Sequence, residues 1–334
     1  MRVLLCLIVA AGFQLSIIKA QPRSPLPELS LERESLDPKV VAEENEYCRE
    51  GADLLERGDY EKAIVAFEKA IELRPNLAVL HNDLGYSHFL AGHYLEAVTA
   101  YQKAIRLNPE YTLAYNNLGV AYSQLTDYDN AVLCFKKAIS LSPHYASAHY
   151  NLGIAYYQTD QITESVKYLQ QAVRLKPDYA QAMTALGCAY NSEERFAEAI
   201  ALLRKALSAD PKLQVAERNL GNAYFKTGQL QEAIQAYQRA LKLNPRDAEA
   251  HNNLGVAWNA ARDFKQAITA YQHALAIAPE YSEARFNLAI AYLGLNARNN
   301  ALIEYALLKR SAPQLARKLY EAIYVEQVID AKQR

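Results

Sequence analysis

Apolar and small residues return along this chain at fixed places in a 34-residue period that opens at Glu44. With Glu44 as position 1, the recurring places are 7, 8, 11, 20, 24, 27 and 32. In the third period these are Leu118, Gly119, Tyr122, Ala131, Phe135, Ala138 and Pro143; in the sixth, Leu220, Gly221, Tyr224, Ala233, Tyr237, Ala240 and Pro245. Steps of three and four put positions 7, 8 and 11 on one face of a first helix, and positions 20, 24 and 27 on one face of a second. Short turns such as Arg57-Gly58-Asp59 and Leu125-Thr126-Asp127 separate the two helices. Proline at position 32 ends the second helix, because it lacks an N–H and disfavours α geometry in the residue before it.

Eight prolines from Pro75 to Pro313 keep the 34-residue spacing, and so do seven glycines from Gly51 to Gly255, with Ala289 in the eighth place. A glycine inside a helix costs about 1 kcal/mol relative to alanine, so seven cost about 7. That loss is comparable to the net stability of a whole domain, and it is tolerable only where the missing side chain lets two helices close in. Small residues at positions 20 and 27 serve the same approach, and tyrosine or phenylalanine at position 24 is expected to fill the space between helix pairs.

These residues resemble the tetratricopeptide repeat pattern. The resemblance covers residues 44–315 as eight units: 44–77, 78–111, 112–145, 146–179, 180–213, 214–247, 248–281 and 282–315. It implies an all-α fold, a right-handed superhelical solenoid of helix-turn-helix units. The end units depart from the pattern, the first with Glu50 and Leu54 at positions 7 and 11, the last with Ala289, Leu308 and Ser311. Atypical ends are expected where a stack must be capped. Residues 316–334 read as one more helix closing the array, with Leu319, Tyr320, Ile323 and Tyr324 over its end and Val325, Val328 and Ile329 extending the apolar face.

Residues 1–20 carry Arg2, an apolar run from Val3 to Phe13 and a small residue at Ala20, the layout of a secretory signal peptide. The run is short for a bilayer span, which takes about 20 apolar residues, so a membrane anchor through residues 3–18 is the alternative. Cys6 lies too early in the run for lipid attachment. Prolines 22, 25, 27 and 38 make residues 21–43 a linker, extended through about residue 40. Export, to a periplasm or outside the cell, is the expected localisation.

The segments outside the repeats are too short for a second domain of ordinary size. The chain has 36 basic and 37 acidic residues and a formal charge of −1, which gives no footprint for nucleic acid. No phosphate-cradling loop, nucleophile elbow or haem-attachment motif appears, and no catalytic residue or cofactor is expected. Cys48, Cys134 and Cys188 fall in units 1, 3 and 5, which do not touch, so no disulfide is expected among them. His81, His149 and His251 share position 4 in separate units, and His88 stands in the usual tyrosine place, so they read as packing residues rather than metal ligands.

Function therefore rests on the stripe at positions 2, 5, 6, 9, 12 and 13 of each first helix, which the resemblance places on the inner surface of the solenoid. Position 6 carries Asn117, Asn151, Asn219, Asn253 and Asn287. The set is similar to the asparagine ladder with which some repeats of this family hold an extended peptide, and one carboxamide offers a peptide unit both a donor and an acceptor. Val79, Tyr86, Phe89, Leu113, Val120, Tyr150, Ile154 and Tyr157 make the first half of the stripe apolar. Arg218, Asn222, Lys226, Glu249, Asn252 and Glu283 make the second half polar. Relatives that capture a terminal carboxylate place cations and asparagines at set positions; Arg218, Asn222 and Asn253 fit three of these, but Glu283 and Asn287 stand where cations are needed. A glutamate there repels a carboxylate, which excludes that ligand.

The expected function is a non-enzymatic scaffold that binds an extended segment of a protein partner, in assembly of a cell-envelope complex. The alternatives are a self-assembling structural module and a substrate-recruiting subunit for a separate enzyme such as a glycosyltransferase. A membrane is a partner only if the leader stays attached.

Overall fold

The structure, a computed structural model, describes residues 38–332, with side chains described from Lys39 to Tyr324. The expected signal peptide, most of the linker and the side chains of Val325, Val328 and Ile329 lie outside the described residues. The described residues contain seventeen helices and no strand. They are α1 (Pro38–Arg57), α2 (Tyr60–Leu73), α3 (Ala78–Ala91), α4 (Tyr94–Leu107), α5 (Thr112–Gln124), α6 (Tyr128–Leu141), α7 (Ala146–Gln158) and α8 (Ile162–Leu175), then α9 (Ala180–Ser192), α10 (Phe196–Ala209), α11 (Gln214–Lys226), α12 (Leu230–Leu243), α13 (Ala248–Ala260), α14 (Phe264–Ile277), α15 (Ser282–Gly294), α16 (Arg298–Ser311) and α17 (Pro313–Lys332). The fold is an all-α helical repeat solenoid.

The chain forms two compact units, one ending at Pro177 and one beginning at Asp178. In the first, α1–α8 make four helix pairs; in the second, α9–α16 make four more and α17 packs on α15 and α16. Inside each unit a helix packs on the one before it and the one after, and the first helices of neighbouring pairs touch as well.

Every glycine at position 8 faces the side chain sixteen residues later. A Cβ on Gly51 would lie 2.8 Å from the Phe67 ring, on Gly119 2.6 Å from Phe135, and on Gly255 2.5 Å from Tyr271. The position-24 side chain thus fills the cleft inside its own helix pair, not only the space between pairs as expected. In two repeats it is leucine, with Leu169 over Gly153 and Leu203 over Gly187. The alanines at positions 20 and 27, such as Ala97 and Ala104, are wholly buried, which permits the same approach from the second helix.

Both ends of the array differ from expectation through a proline. Pro38, expected in an extended tether, is the first residue of α1, and Pro313 opens α17 three residues before the expected start at Ala316. Proline at the first helical position costs no hydrogen bond, and its fixed φ suits the helix. Just past this extension, Glu44 is buried beside Cys48 and pairs with Arg74 at 3.5 Å. At the other end Ala316, Leu319 and Ile323 bury against Ala289, Ala301 and Leu308, whereas Tyr320 stays half-exposed.

The turn inside each pair has one residue in the left-handed region, always at position 15. It is glycine in three repeats (Gly58, Gly92 and Gly228) and Thr126, Asp160, Glu194, Arg262 or Asn296 in the others, with φ between 58° and 84°. Position 4 shares a task in four repeats. Nε2 of His81, His149 and His251 meets the carbonyl of Pro75, Pro143 and Pro245 at 2.8, 2.9 and 3.1 Å, and Arg285 donates to the Pro279 carbonyl at 2.8 Å. In these four repeats the position-4 side chain ties the first helix to the end of the preceding repeat.

Candidate functional site

The asparagines of the first helices form hydrogen-bonded relays. In the first unit Asn151 Nδ2 donates to Asn116 Oδ1 at 2.9 Å, and Asn116 Nδ2 to Asn117 Oδ1 at 3.5 Å. Asn117 Nδ2 donates to Asn82 Oδ1 at 3.1 Å, and Asn82 Nδ2 to the Asp83 carboxylate at 3.4 Å. In the second unit Asn287 donates to Asn252 at 3.0 Å, Asn252 to Asn253 at 3.3 Å and Asn253 to Asn222 at 3.2 Å. Asn222 Oδ1 also accepts from the Tyr237 hydroxyl at 2.7 Å. Each link between repeats joins position 6 of one repeat to position 5 or 9 of the repeat before.

This corrects the reading of position 6 as a row of amides turned to a ligand. Asn151 and Asn253 are buried, and each gives an N–H to an amide of the preceding repeat. The cause is the 34-residue period itself, which sets a position-6 amide beside a polar residue of the preceding repeat. Asn219 is the exception: position 5 before it is Thr184 and position 6 is Ala185, so its Nδ2 turns back to the Val215 carbonyl at 2.9 Å. Asn117, Asn222 and Asn287 remain half-buried. A carboxamide has two N–H donors and two acceptor lone pairs, so Asn117, which gives one bond and takes one, keeps one of each.

Sequence reasoning missed Asn82 and Asn116, which are buried at position 5 and complete the first relay. The signal was present as the doublets Asn116-Asn117 and Asn252-Asn253 and the pair Asn82-Asp83.

Arg218 is not available to a ligand carboxylate. Its Nη1 lies 2.9 Å from Asp247 and 2.8 Å from Glu249, and the side chain is nearly closed to water. Asp247 also accepts from Gln214 and caps α13 through the Ala250 amide. Burial pushes the Glu249 carboxyl above its ordinary range, and the Arg218 cation opposes that shift. Two carboxylates hold one guanidinium, and Glu283 is exposed on the next first helix. The second unit's stripe is therefore acidic around Arg218.

In the first unit Val79, Tyr86, Phe89, Leu113 and Val120 are half-buried, as an apolar docking surface requires. Tyr150, Ile154 and Tyr157 are not: they are buried, and α7 is closed to water from Ala148 to Tyr157. Bulky apolar side chains at i, i+4 and i+7 make one stripe, and a helix apolar on that side as well as on its packed face is buried all round. The expectation that Tyr150 contacts a partner is corrected accordingly.

Cys134 and Cys188 are free thiols, and burial pushes both up to about 12. Among the described residues no cluster of His, Cys, Asp and Glu could hold a metal, and no helix is long and apolar enough to cross a membrane.

The TPR repeat profile matches residues 51–92, 85–126, 124–160 and 221–258, and two further tetratricopeptide repeat profiles match 150–213 and 248–281. A comparison with curated proteins gives no match. Among solved structures, the chain is similar to one in the APC/C hetero-tetramer Cut9-Hcn1, with TM-score 0.64 and 23% identity over 72% of this chain and 48% of that one. It is also similar to PilW, a type IV pilus biogenesis factor (TM-score 0.59, 21% identity, 63% and 98% covered). A third is a tetratricopeptide repeat protein from Parabacteroides merdae (TM-score 0.58, 15% identity, 75% and 99% covered). The chain spans about half the length of the Cut9-Hcn1 chain it matches, and at these identities the likeness is one of fold. The repeat profiles together reach from Gly51 to Pro279 and beyond with one short gap, and the chain belongs to the tetratricopeptide repeat family.

Proposed function

We propose that the protein is a non-enzymatic scaffold that holds an extended segment of a partner protein along its first-helix stripe. Repeats of this family serve as protein-interaction scaffolds, and the observation that carries the reading is the half-buried members of the two amide relays. Asn117, Asn222 and Asn287 are held in place by neighbours at 2.7–3.2 Å. Amides fixed before binding lose little side-chain entropy when a peptide arrives. Tyr86, Phe89, Leu113 and Val120 offer apolar contact beside Asn117. The acidic surroundings of Arg218 in the second unit favour a segment with basic side chains and disfavour a terminal carboxylate.

A cell-envelope setting belongs to the same proposal and rests on the leader alone. Export cleaves it after Ala20, so the amino terminus of the protein recovered outside the cytoplasm is expected to be Gln21. The intact Met1 terminus would remove that part.

Panning the full chain against displayed extended peptides tests the binding reading. The intact protein is expected to enrich a peptide set, and an Asn117→Ala/Asn287→Ala variant with unchanged helical content is expected to lose it. Equal enrichment by the folded variant would sink the role of the relays.

A further inference from the structure

Each repeat from the second to the eighth stacks through the same three places of its first helix. Position 3 is leucine or alanine, position 7 leucine, and position 10 serine or alanine. All are buried except Leu84, which is half-buried. They join the second helix of the repeat before: Leu118 and Ala121 share a core with Tyr101 and Ile105, and Leu254 and Ala257 with Tyr237 and Leu241. Ile105 and Leu241 stand at position 28, which is isoleucine, valine or leucine in the first seven repeats.

At the two ends of the array the same places carry charge. In the first repeat positions 3, 7 and 10 are Glu46, Glu50 and Asp53, all exposed, and Glu43 lies on the same face of α1 one turn earlier. Cations on that face stand only at its ends, Lys39 and Arg57. In the last repeat position 28 is Lys309, exposed and followed by Arg310. The helix α17 packs on α15 and α16, yet an open cavity of about 310 Å³ remains, with Lys309 and Arg317 beside Tyr305, Pro313, Ala316 and Tyr320. Lys318 is exposed next to Arg317. Glu321 meets Arg317 at 3.5 Å with both side chains largely in water, and such a pair is weak.

A cap needs a polar face to stay in water, and charge of either sign serves that end. Here one end carries four carboxylates and the other four cations, Lys309, Arg310, Arg317 and Lys318, so the two faces are complementary. We propose that the first repeat of a second copy docks head to tail on the α16–α17 end of this chain, with Glu46, Glu50 and Asp53 against Lys309, Arg317 and Lys318. The half-exposed ring of Tyr320 adds apolar area to the contact. The two faces are different surfaces, so the contact is heterologous and one copy can follow another. None of the three carboxylates lies on the inner stripe, so the proposal stands apart from peptide binding there.

Light scattering on the full chain at rising concentration tests this. The mass is expected to climb to at least twice that of one chain at low salt and to fall back at high salt, because exposed charges are screened. Glu46→Lys/Glu50→Lys makes both ends basic, and Arg317→Glu/Lys318→Glu makes both acidic; all four positions are exposed, and circular dichroism checks that each variant is folded. Either variant alone is expected to keep the mass of one chain, whereas an equal mixture of the two is expected to assemble again. A single-chain mass for the intact protein at every concentration would leave the acidic face to some other basic occupant and overturns the proposal. So does assembly by either folded variant alone, or a mixture that stays at the mass of one chain.

Discussion

The Nδ2 amide of Asn151 donates to Oδ1 of Asn116 at 2.9 Å, and both side chains are closed to water. Thirty-five residues separate them, so this bond exists only when one repeat is docked on the next. Asn116→Ala leaves a buried donor without its acceptor, which costs about 1–3 kcal/mol. Adding Asn151→Ala is expected to cost less than the two single losses combined. Denaturant titrations of the two single variants and the double variant check this, and strict additivity would count against the bond.

Gly255→Ala reverses the usual sign of a glycine-to-alanine change. In an open helix alanine gains about 1 kcal/mol. Here the new Cβ would stand 2.5 Å from the Tyr271 ring, which is itself buried, and overpacking of this kind costs about 1–3 kcal/mol. A lowered melting temperature is expected; a raised one would show that the cleft can widen.

Arg262 sits at φ 62° in the turn between α13 and α14, where Gly228 occupies the same place one repeat earlier. A left-handed residue with a Cβ costs about 1–2 kcal/mol, part of which glycine returns as unfolded-chain entropy. Arg262→Gly is therefore expected to stabilise by about 0.5–1 kcal/mol. Thermal unfolding decides it, with no gain the contrary result.

His88 predicts an acid limb in stability. Burial, aided by nearby His93, lowers its pKa below 6.5 despite three neighbouring glutamates. The fold thus prefers the neutral ring: the contribution is present above pH 6.5 and is lost as pH falls through the lower folded-state value. His88→Tyr restores the residue found at this place in Tyr122 and Tyr156 and is expected to flatten the melting curve between pH 7 and about 5. An unchanged slope would assign the limb to other groups.

Cys134 and Cys188 are expected to resist alkylation at pH 8 while the protein is folded, because burial raises both thiols to about 12. Both should react fully in denaturant. Rapid labelling of the native protein would contradict the burial.

The period was legible because packing repeats it: glycine at position 8 and alanine at 20 and 27 are required by a contact made in nearly every repeat, and proline at 32 by the end of each second helix. The task of position 15 was visible only at Gly58, Gly92 and Gly228, since the other five repeats meet the same φ with a side chain. Arg218 was misread because its partners Asp247 and Glu249 lie in the following repeat. A stripe drawn on one helix shows which residues share a face, not what the neighbouring repeat sets against them. The same limit hid the fate of Asn151 and Asn253. Their helical face was evident, but the amide across from each was not.

An array of near copies carries a hazard that an irregular domain does not, since any helix pair offers much the same apolar face to any other. The relays answer it in part. A pair docked on the fourth, fifth or eighth repeat, whose position 5 is Tyr150, Thr184 or Phe286, would bring the amide of Asn151 or Asn253 against a repeat without the asparagine acceptor that Asn82, Asn116 and Asn252 supply elsewhere. Glycine and tyrosine say that two repeats will stack; the asparagines narrow the choice of which repeats can meet.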